Sequence, residues 1–577
     1  MRNKEVAEKF YELAEIAELA NENPFKIKAY LEAARVIENL AIPIEEIASK
    51  GKLEEIRGIG KGIAEKINQY LQKGKIDKLE EFKKKIPETL IEMEKIPGLG
   101  AKRVKALYED LHIQTVDDLR KAAEAHTIRQ LEGFGEKTEQ KILEGISAMR
   151  DKKIDRVLIG IAMPIAESIA DSLKTHTPVD KILICGSIRR MKDTIGDIDI
   201  LVTSKRTSEV MDFFSSLDLV KEVIAKGETK TSIVTREGIQ VDLRVVEPGS
   251  FGAAIQYFTG SKQHNVHMRE LAIKKNLKLN EYGVFDLDTN RKVAGETEEE
   301  IYDLLGMQWI PPEMREDNGE IELALEGKIP DIVKLEEIKG DIHVHSTYSD
   351  GRNTIEELIK QSMKIGYEYL VITDHARALG VAGGLSIEKY LEEKKEIDKL
   401  NKKYKRFKVF LGTELNILTN GEVDFKDDDL KIFALCLAGI HTGMSQKKGQ
   451  ITNRIINAIK KRYVRIIVHP TGRIIGGRDE YEVDVDAVFN EAKKHNTIFE
   501  INASYERLDL NEVNARKAKE NYGLKFEIGT DAHSTDSMMS MRYGVGVARR
   551  AGLTKDDIIN TMNLTFFERF IKGNNYQ

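Results

Sequence analysis

Between Asp341 and His533, six histidines and three acids recur in one setting, at the C-terminal end of a short apolar run. DIHVHSTYSDG places His343 and His345 two apart, on one face of a strand, with Asp350 in the loop that follows. TDH (His375), GTEL (Glu414), GIH (His441), VHP (His469) and GTDAH (Asp531, His533) continue the series. The runs YLVIT, VFLGT, FALCLAGI, RIIV, TIFEI and KFEIGT alternate with charged helical stretches, the pattern of parallel strands joined by crossover helices. Barrels built this way gather their active sites at strand C-termini. The chain has 12 histidines, so half of them fall in this series; His495, in EAKKHN, does not and reads as a surface residue. One buried histidine is more often a satisfied core residue than a ligand, but nine donors at strand ends point to metal. Mixed imidazole and carboxylate suit Zn²⁺, Mn²⁺ or Fe²⁺. The set suffices for three ions if a carboxylate such as Glu414 bridges, and clustered ions of this kind hydrolyse phosphoesters.

A second constellation lies upstream. CGSIRRMKDTIGDIDILV (185–202) ends in a strand whose Asp197 and Asp199 share a face. Burying two carboxylates without a cation costs several kcal/mol. Hard divalent metals such as Mg²⁺ or Mn²⁺ take oxygen ligands of this type, and Asp242 in IQVDLRVV is the candidate third acid. Two ions held by Asp197, Asp199 and Asp242 would activate a 3′-hydroxyl and stabilise a leaving pyrophosphate. Gly186 and Ser187 start a turn suited to a phosphate, Gly196 precedes the acids, and Arg190 is a better candidate than Arg189 for an incoming triphosphate.

The remainder sets the frame. A chain of 577 residues exceeds one core, and roughly three to five domains are expected. The formal net charge of -6 argues against a uniformly basic coat but leaves local basic grooves open. Two cysteines, Cys185 and Cys436, make no disulfide framework. The polar start MRNKEVAEKF and the lack of any apolar run near ~18 residues predict a cytoplasmic protein without membrane contact. Residues 1–150 read as helices. Within them GIGKGIAEKI (Gly58, Gly60, Lys61), GLGAKRVKAL (Gly98, Gly100, Lys102) and GFGEKTEQKI (from Gly133) repeat Gly-apolar-Gly before a helix. Such turns bring backbone N–H groups close to a nucleic-acid phosphate. The third copy, with Glu136 and Glu139, is the least basic.

These motifs resemble family X DNA polymerases, the group that includes polymerase beta, carrying a C-terminal PHP (polymerase and histidinol phosphatase) domain. The resemblance covers essentially the whole chain. It implies a multidomain fold: an all-α helix-hairpin-helix N-terminal region, an α+β nucleotidyltransferase palm and thumb, and a C-terminal distorted (β/α)7 barrel. The expected boundaries are 1–85 (5′-phosphate or lyase-like domain), 86–150 (helical fingers), 151–250 (palm), 251–315 (thumb), 316–338 (linker) and 339–577 (PHP).

In YFTGSKQHNVHMR the resemblance implies a sugar gate at Tyr257, Phe258 and Gly260, a base contact at Asn265 and a template contact at Arg269. By themselves the two aromatics read as core. Lys262 stands where the animal enzymes carry an acid, so the nucleotide grip should differ. NPFKIKAY with GIGKGIAEK implies a 5′-phosphate held by Lys26, Tyr30 and Lys61, and a Schiff-base lysine at Lys66. Gly62 replaces a supporting lysine, which favours Lys66 as a plain phosphate contact over lyase chemistry. The implied activity is filling of short DNA gaps in repair, as a monomer using dNTPs, with a PHP 3′–5′ exonuclease and, further, an abasic-site endonuclease or 3′-phosphatase. The residues also leave two other classes open: a small-molecule phosphatase docked on DNA by an inactive polymerase half, and a non-catalytic repair scaffold.

Overall fold

The computed structural model describes residues 3–573, apart from 21, 39, 41–42, 84–85, 88, 95, 97–98, 112, 132–133 and 152–155. The chain divides into two compact units, Met1–Asp155 and Arg156–Gln577.

Among its described residues the first unit is helical throughout. One apolar core gathers Phe10, Leu13, Ile37, Ile67 and Tyr70, and another Val104, Leu107, Leu119 and Ile142. The spacing of these residues at three and four along their helices is what buries one face of each. The helix Lys61–Lys73 starts after Gly60 and stops on Gly74, which is left-handed at φ 68°. Gly58 is left-handed at φ 88°, and a side chain there would press on Glu32 and Val36 at 3.3 Å.

The second unit opens with the helix Ile159–His176 over a five-stranded sheet. The strand order is Lys181–Ile184, Asp197–Thr203, Gln240–Val245, Lys230–Thr235, Val220–Lys226. The second and third are parallel and the other pairs antiparallel. Val220–Lys226 carries no sequence signal of a strand, because it is an edge whose residues are nearly all exposed. A three-stranded antiparallel sheet, Leu277–Asn280, Gly283–Asp286 and Lys292–Ala294, follows.

Residues 316–338 depart from the expected linker. Glu320–Leu325 is a helix, and Ile321, Ala324 and Ile332 are buried in a core with Met268, Leu279 and Tyr302. The polar composition that suggested a connector reflects Glu316, which forms a partly buried ion pair with Arg190, and Glu320, which is buried against His264 at 2.8 Å.

Seven parallel strands then run in chain order, from Gly340–Val344 to Phe526–Gly529. The first meets the last through a parallel bridge between Val344 and Ala532, with His345 N donating to the Ala532 carbonyl at 2.9 Å. This nearly closes a barrel, as the resemblance implied. Its strands are buried on both faces, which explains their uninterrupted apolar runs.

The barrel and the five-stranded sheet share one continuous apolar core. The helix Met541–Arg550 forms part of their contact, and Arg473 adds a pair with Asp193 at 2.9 Å. Arg542 pairs with Glu167 at 2.8 Å, Arg549 with Glu313 at 2.7 Å, and a side chain at Gly546 would meet Met191 at 2.7 Å. No helix among the described residues is long and apolar enough to cross a membrane.

Candidate active sites

The first site forms on the five-stranded sheet. Asp199 and Asp242 are directly paired positions on neighbouring parallel strands, and Asp197 precedes Asp199 on the same face. The intervening Ile198 and Ile200 are fully buried on the other face. That alternation is why an otherwise apolar strand carries carboxylates. Burial, followed by the charges of Asp197 and Asp242, pushes the Asp199 carboxyl up to about 7. Three acids that crowd one another in this way are a donor set for a divalent cation.

Asp242 is already engaged. Its Oδ2 lies 2.6 Å from Lys230 Nζ, and its Oδ1 accepts from Gln240 Nε2 at 3.1 Å. Burial would raise its pKa, but Lys230, Ser232 and Gln240 outweigh it and hold the carboxylate low. Lys230 and Gln240 were not legible as site residues, since lysine and glutamine on a strand carry no distinctive spacing.

Gly186 is left-handed at φ 67°, and a side chain there would meet Asp199 Oδ2 at 2.9 Å. The turn CGS therefore requires glycine so that the backbone can lie against the acids. Ser187, next along, is half-buried in the short helix Gly186–Arg189. Gly196 packs beneath the Arg156 guanidinium.

The two arginines separate. Arg189 is consumed by Glu298, bidentate at 2.9 and 2.7 Å, and by the Thr259 hydroxyl. Arg190 donates through Nε to Glu316 at 3.0 Å and through Nη1 to the Thr259 carbonyl, against Gly260. Tyr257 and Phe258 are half-buried and form an edge-to-face pair with centroids 5.1 Å apart. Arg244 stacks over Phe258 at 4.6 Å and lies 3.9 Å from Asp242, so the aromatic pair and the acids share a neighbour.

Asn265 is turned inward. It accepts from Gln256 at 2.8 Å and donates to the Tyr257 carbonyl at 2.7 Å, so it braces the aromatic segment. Arg269 is half-buried on the same helix, Lys262–Lys274, whose first residue is exposed.

The second site lies at the C-terminal mouth of the barrel, and all nine predicted donors meet there. Glu414 is the hub. Its Oε1 lies 2.9 Å from His441 Nε2 and 2.8 Å from His469 Nε2. Its Oε2 lies 2.9 Å from His375 Nδ1, 3.4 Å from His343 Nε2 and 3.5 Å from His345 Nε2. Asp531 Oδ1 lies 3.2 Å from His345 Nε2, and Asp350 Oδ1 3.3 Å from His533 Nε2. Among the described residues four groups have ligand atoms within 4.8 Å of one another: His345, Asp350, His375 and His533; His343, His345 and Glu414; His375, Glu414 and His441; and His343, Glu500 and Glu527. His343 Nε2, both ring nitrogens of His345 and Glu414 Oε2 are buried and make no hydrogen bond. Buried polar atoms left without hydrogen bonds at a mouth of imidazoles and carboxylates fit a metal centre. Among the described residues the sheet acids are not drawn together as closely as these groups.

A further shell went unread in the sequence. His343 Nδ1 lies 2.6 Å from Glu500 Oε1, which aims Nε2 at the mouth. Glu500 Oε2 also accepts from the His469 amide at 2.6 Å. Glu527 is buried beside them, and Asp341 accepts the Thr530 hydroxyl at 2.5 Å. Burial, and then Glu500, drives the Glu527 carboxyl well up. The signal was present: Glu500 and Glu527 interrupt IFEI and KFEIG just as Asp242 interrupts its own apolar strand.

In the first unit, Lys66 Nζ lies 5.6 Å from the centre of the Tyr30 ring and donates to the Gly62 carbonyl at 3.1 Å. Burial, with Lys26 and Lys78 assisting and Glu65 opposing, lowers its pKa. Tyr30 is buried, Lys61 is exposed on the first helical residue, and Lys26 pairs with Glu22 at 3.2 Å. Gly100 opens the helix Ala101–Leu111. Gly98 and Gly133 lie outside the described residues, as does the side chain of Lys102. The third copy is structural at Glu139, which is buried against Arg129 and His126.

Known families match in the same order along the chain. The matches are a helix-hairpin-helix domain at residues 1–76, a SAM-like helix-hairpin-helix tandem at 90–148, the DNA polymerase beta palm at 162–249, the DNA polymerase beta thumb at 254–316 and the PHP domain at 341–504. DNA polymerase lambda of Rattus norvegicus is 25% identical over 342 residues, 54% of this chain and 56% of its own length. A probable phosphatase of Thermoanaerobacter sp. (strain X514) is 31% identical over 233 residues, 38% of this chain and 89% of its own. The DNA polymerase/3′-5′ exonuclease PolX of Bacillus subtilis (strain 168) is 36% identical over 576 residues, 100% of both chains. With a polymerase half and a PHP half matched in one full-length relative, the chain belongs to the PolX family of family X DNA polymerases.

Proposed function

We propose that this protein fills short gaps in cytoplasmic DNA during base excision or end repair and trims 3′ ends at the barrel mouth. The observation that carries the reading is the presence of two separate donor sets in one unit, the sheet acids and the nine barrel ligands. A small-molecule phosphatase has no need of the acids on the sheet, and a scaffold has no need of either set.

Asp197, Asp199 and Asp242 would hold two Mg²⁺ or Mn²⁺. The barrel donors would hold up to three ions of Zn²⁺, Mn²⁺ or Fe²⁺, with Glu414 shared. When bound, such ions supply Lewis acidity and lower the pKa of a coordinated hydroxyl or water. The chain's own groups do the rest. Gly186, Ser187 and Arg190 take the triphosphate. Tyr257, Phe258 and Gly260 wall the sugar, and Asn265 keeps that wall in place. Arg269 faces the template side. Glu500 holds a proton-bearing His343 Nδ1, which leaves Nε2 free to act as a donor. In the first unit Lys26, Tyr30, Lys61 and Lys66 take the 5′-phosphate, while Gly58, Gly60, Gly98, Gly100 and Lys102 follow the backbone. The Lys66 amine, with its lowered pKa, is also the group available for Schiff-base chemistry.

The test is a one-nucleotide-gapped duplex labelled at the 3′ side of the gap, incubated with Mn²⁺ with and without dNTPs. Asp242→Ala should abolish extension and keep shortening, and His343→Ala should do the reverse. Loss of extension in a folded His343→Ala protein would sink the two-site reading.

A further inference from the structure

The last residue of the helix Met541–Arg550 reaches the nucleotide side of the sheet. Arg550, 2% exposed, donates through Nη1 to the Arg190 carbonyl at 3.1 Å and to Glu316 Oε1 at 3.2 Å. Its Nη2 donates to Glu512, on the barrel helix Glu512–Tyr522. Arg190 Nε donates to the same oxygen of Glu316 at 3.0 Å, and Lys192 Nζ lies 3.9 Å from both Glu316 and Glu512. Burial would raise the Glu316 pKa, but Lys192, Arg550 and Arg190 hold it at about 2. One ionised oxygen is thus shared between an arginine of the polymerase half and an arginine of the barrel.

The consequence for Arg190 is geometric and electrostatic. A free arginine side chain carries ~2 kcal/mol of rotamer entropy, which is lost on gripping a phosphate unless the side chain is already held. Glu316 and the Thr259 carbonyl hold Arg190 by Nε and Nη1, while Nη2 has no protein partner among the described residues. A carboxylate paired with Arg190 alone would also cancel the charge that a triphosphate needs. Arg550 draws on the same oxygen and weakens that cancellation, and its bond to the Arg190 carbonyl fixes the main chain that carries the side chain.

We propose that Arg550 is a positioning residue for nucleotide binding, acting through Glu316 and the Arg190 main chain, so that the barrel completes the triphosphate grip of the polymerase half. This rests on the reading of Arg190 as the triphosphate ligand. It requires nothing of the barrel's own metal centre.

Single-nucleotide insertion on a gapped duplex, with the full chain and varied dNTP, reads it directly. Arg550→Gln should raise the dNTP KM about tenfold, equivalent to ~1.4 kcal/mol, with kcat changed far less and 3′-end shortening unchanged. Arg550→Lys should recover part of the loss. Glu512→Gln, which keeps Arg550 but frees its far end, should raise KM in the same direction and serves if Arg550→Gln does not fold. Arg190→Gln is the control. If it raises KM while Arg550→Gln and Glu512→Gln do not, the inference is overturned and the reading of Arg190 stands. If Arg190→Gln leaves KM unchanged, that reading falls and takes the inference with it. Parallel loss of insertion, shortening and thermal stability in Arg550→Gln, without rescue by lysine, would make Arg550 a structural residue only.

Discussion

Lys230 Nζ lies 2.6 Å from Asp242 Oδ2, so the third acid of the sheet site holds a cation of the chain's own. A metal ion must share or displace it. The lysine is partly exposed, which limits the pair to ~1 kcal/mol or less. Lys230→Met should therefore lower the Mg²⁺ concentration for half-maximal extension about threefold and slightly destabilise the chelated protein. A metal titration of extension checks this; a rise in the required Mg²⁺ would mean that Lys230 helps to assemble the site rather than competing for it.

Glu414 is shared by five histidines, so no other single carboxyl at the barrel mouth touches as many donors among the described residues. Glu414→Gln should cut shortening by ~100-fold or more while extension persists. Metal content measured on the purified protein should fall with it. Full metal content alongside lost shortening would instead place Glu414 in proton transfer.

Gly186 combines a positive φ with a carboxylate in the space of its missing side chain. Gly186→Ala costs ~1–2 kcal/mol in backbone strain and moves Asp199 as well. Extension should drop at least about tenfold while shortening is unchanged. Gapped-duplex assays at saturating dNTP decide it, and unaltered extension would show that the turn can yield.

Glu298 gives a pH signature. Burial opposes its ionisation, yet Arg315 and Arg189 hold it at about 2, below its unfolded value of 4.5. A lowered carboxyl contributes stability that is present above pH 4.5 and lost as pH falls through about 2. Glu298→Gln should cost ~2–4 kcal/mol at pH 7, and its deficit against wild type should shrink steadily below pH 4.5. The chain's one tryptophan, Trp309, donates to Glu298 at 3.3 Å, so its fluorescence in a urea titration reports the event locally. A deficit that stays constant to pH 2.5 would argue against an ionic role.

The donors at the barrel mouth were legible because each stands where an apolar run ends. Asp197, Asp199 and Asp242 were legible because carboxylates inside apolar strands need a reason. The same argument reaches Glu500 and Glu527, which the runs TIFEI and KFEIGT hid by being read as wholly apolar. Arg550 and Glu316 were not legible. Their roles depend on which helix end meets which loop across a long sequence separation, and a lone arginine in VARRAG says nothing of its partner. The edge strand Val220–Lys226 escaped for the opposite reason: exposed on both faces, it has no pattern to read. The supposed linker misled because carboxylates paired inside the fold, Glu316 with Arg190 and Glu320 with His264, look in sequence like solvated charge.

The bridge between Val344 and Ala532 also sets an order of events at the ribosome. The acids of the sheet site, the last of them Asp242, leave the exit tunnel while the barrel is still being made. The mouth cannot assemble until the final strand pairs with the first and brings Asp531 and His533 beside His343 and His345. A chain cut short of His533 would lack the last donors of the mouth and also Arg550, which holds Glu316 beside Arg190, so both sites wait on the same C-terminal segment.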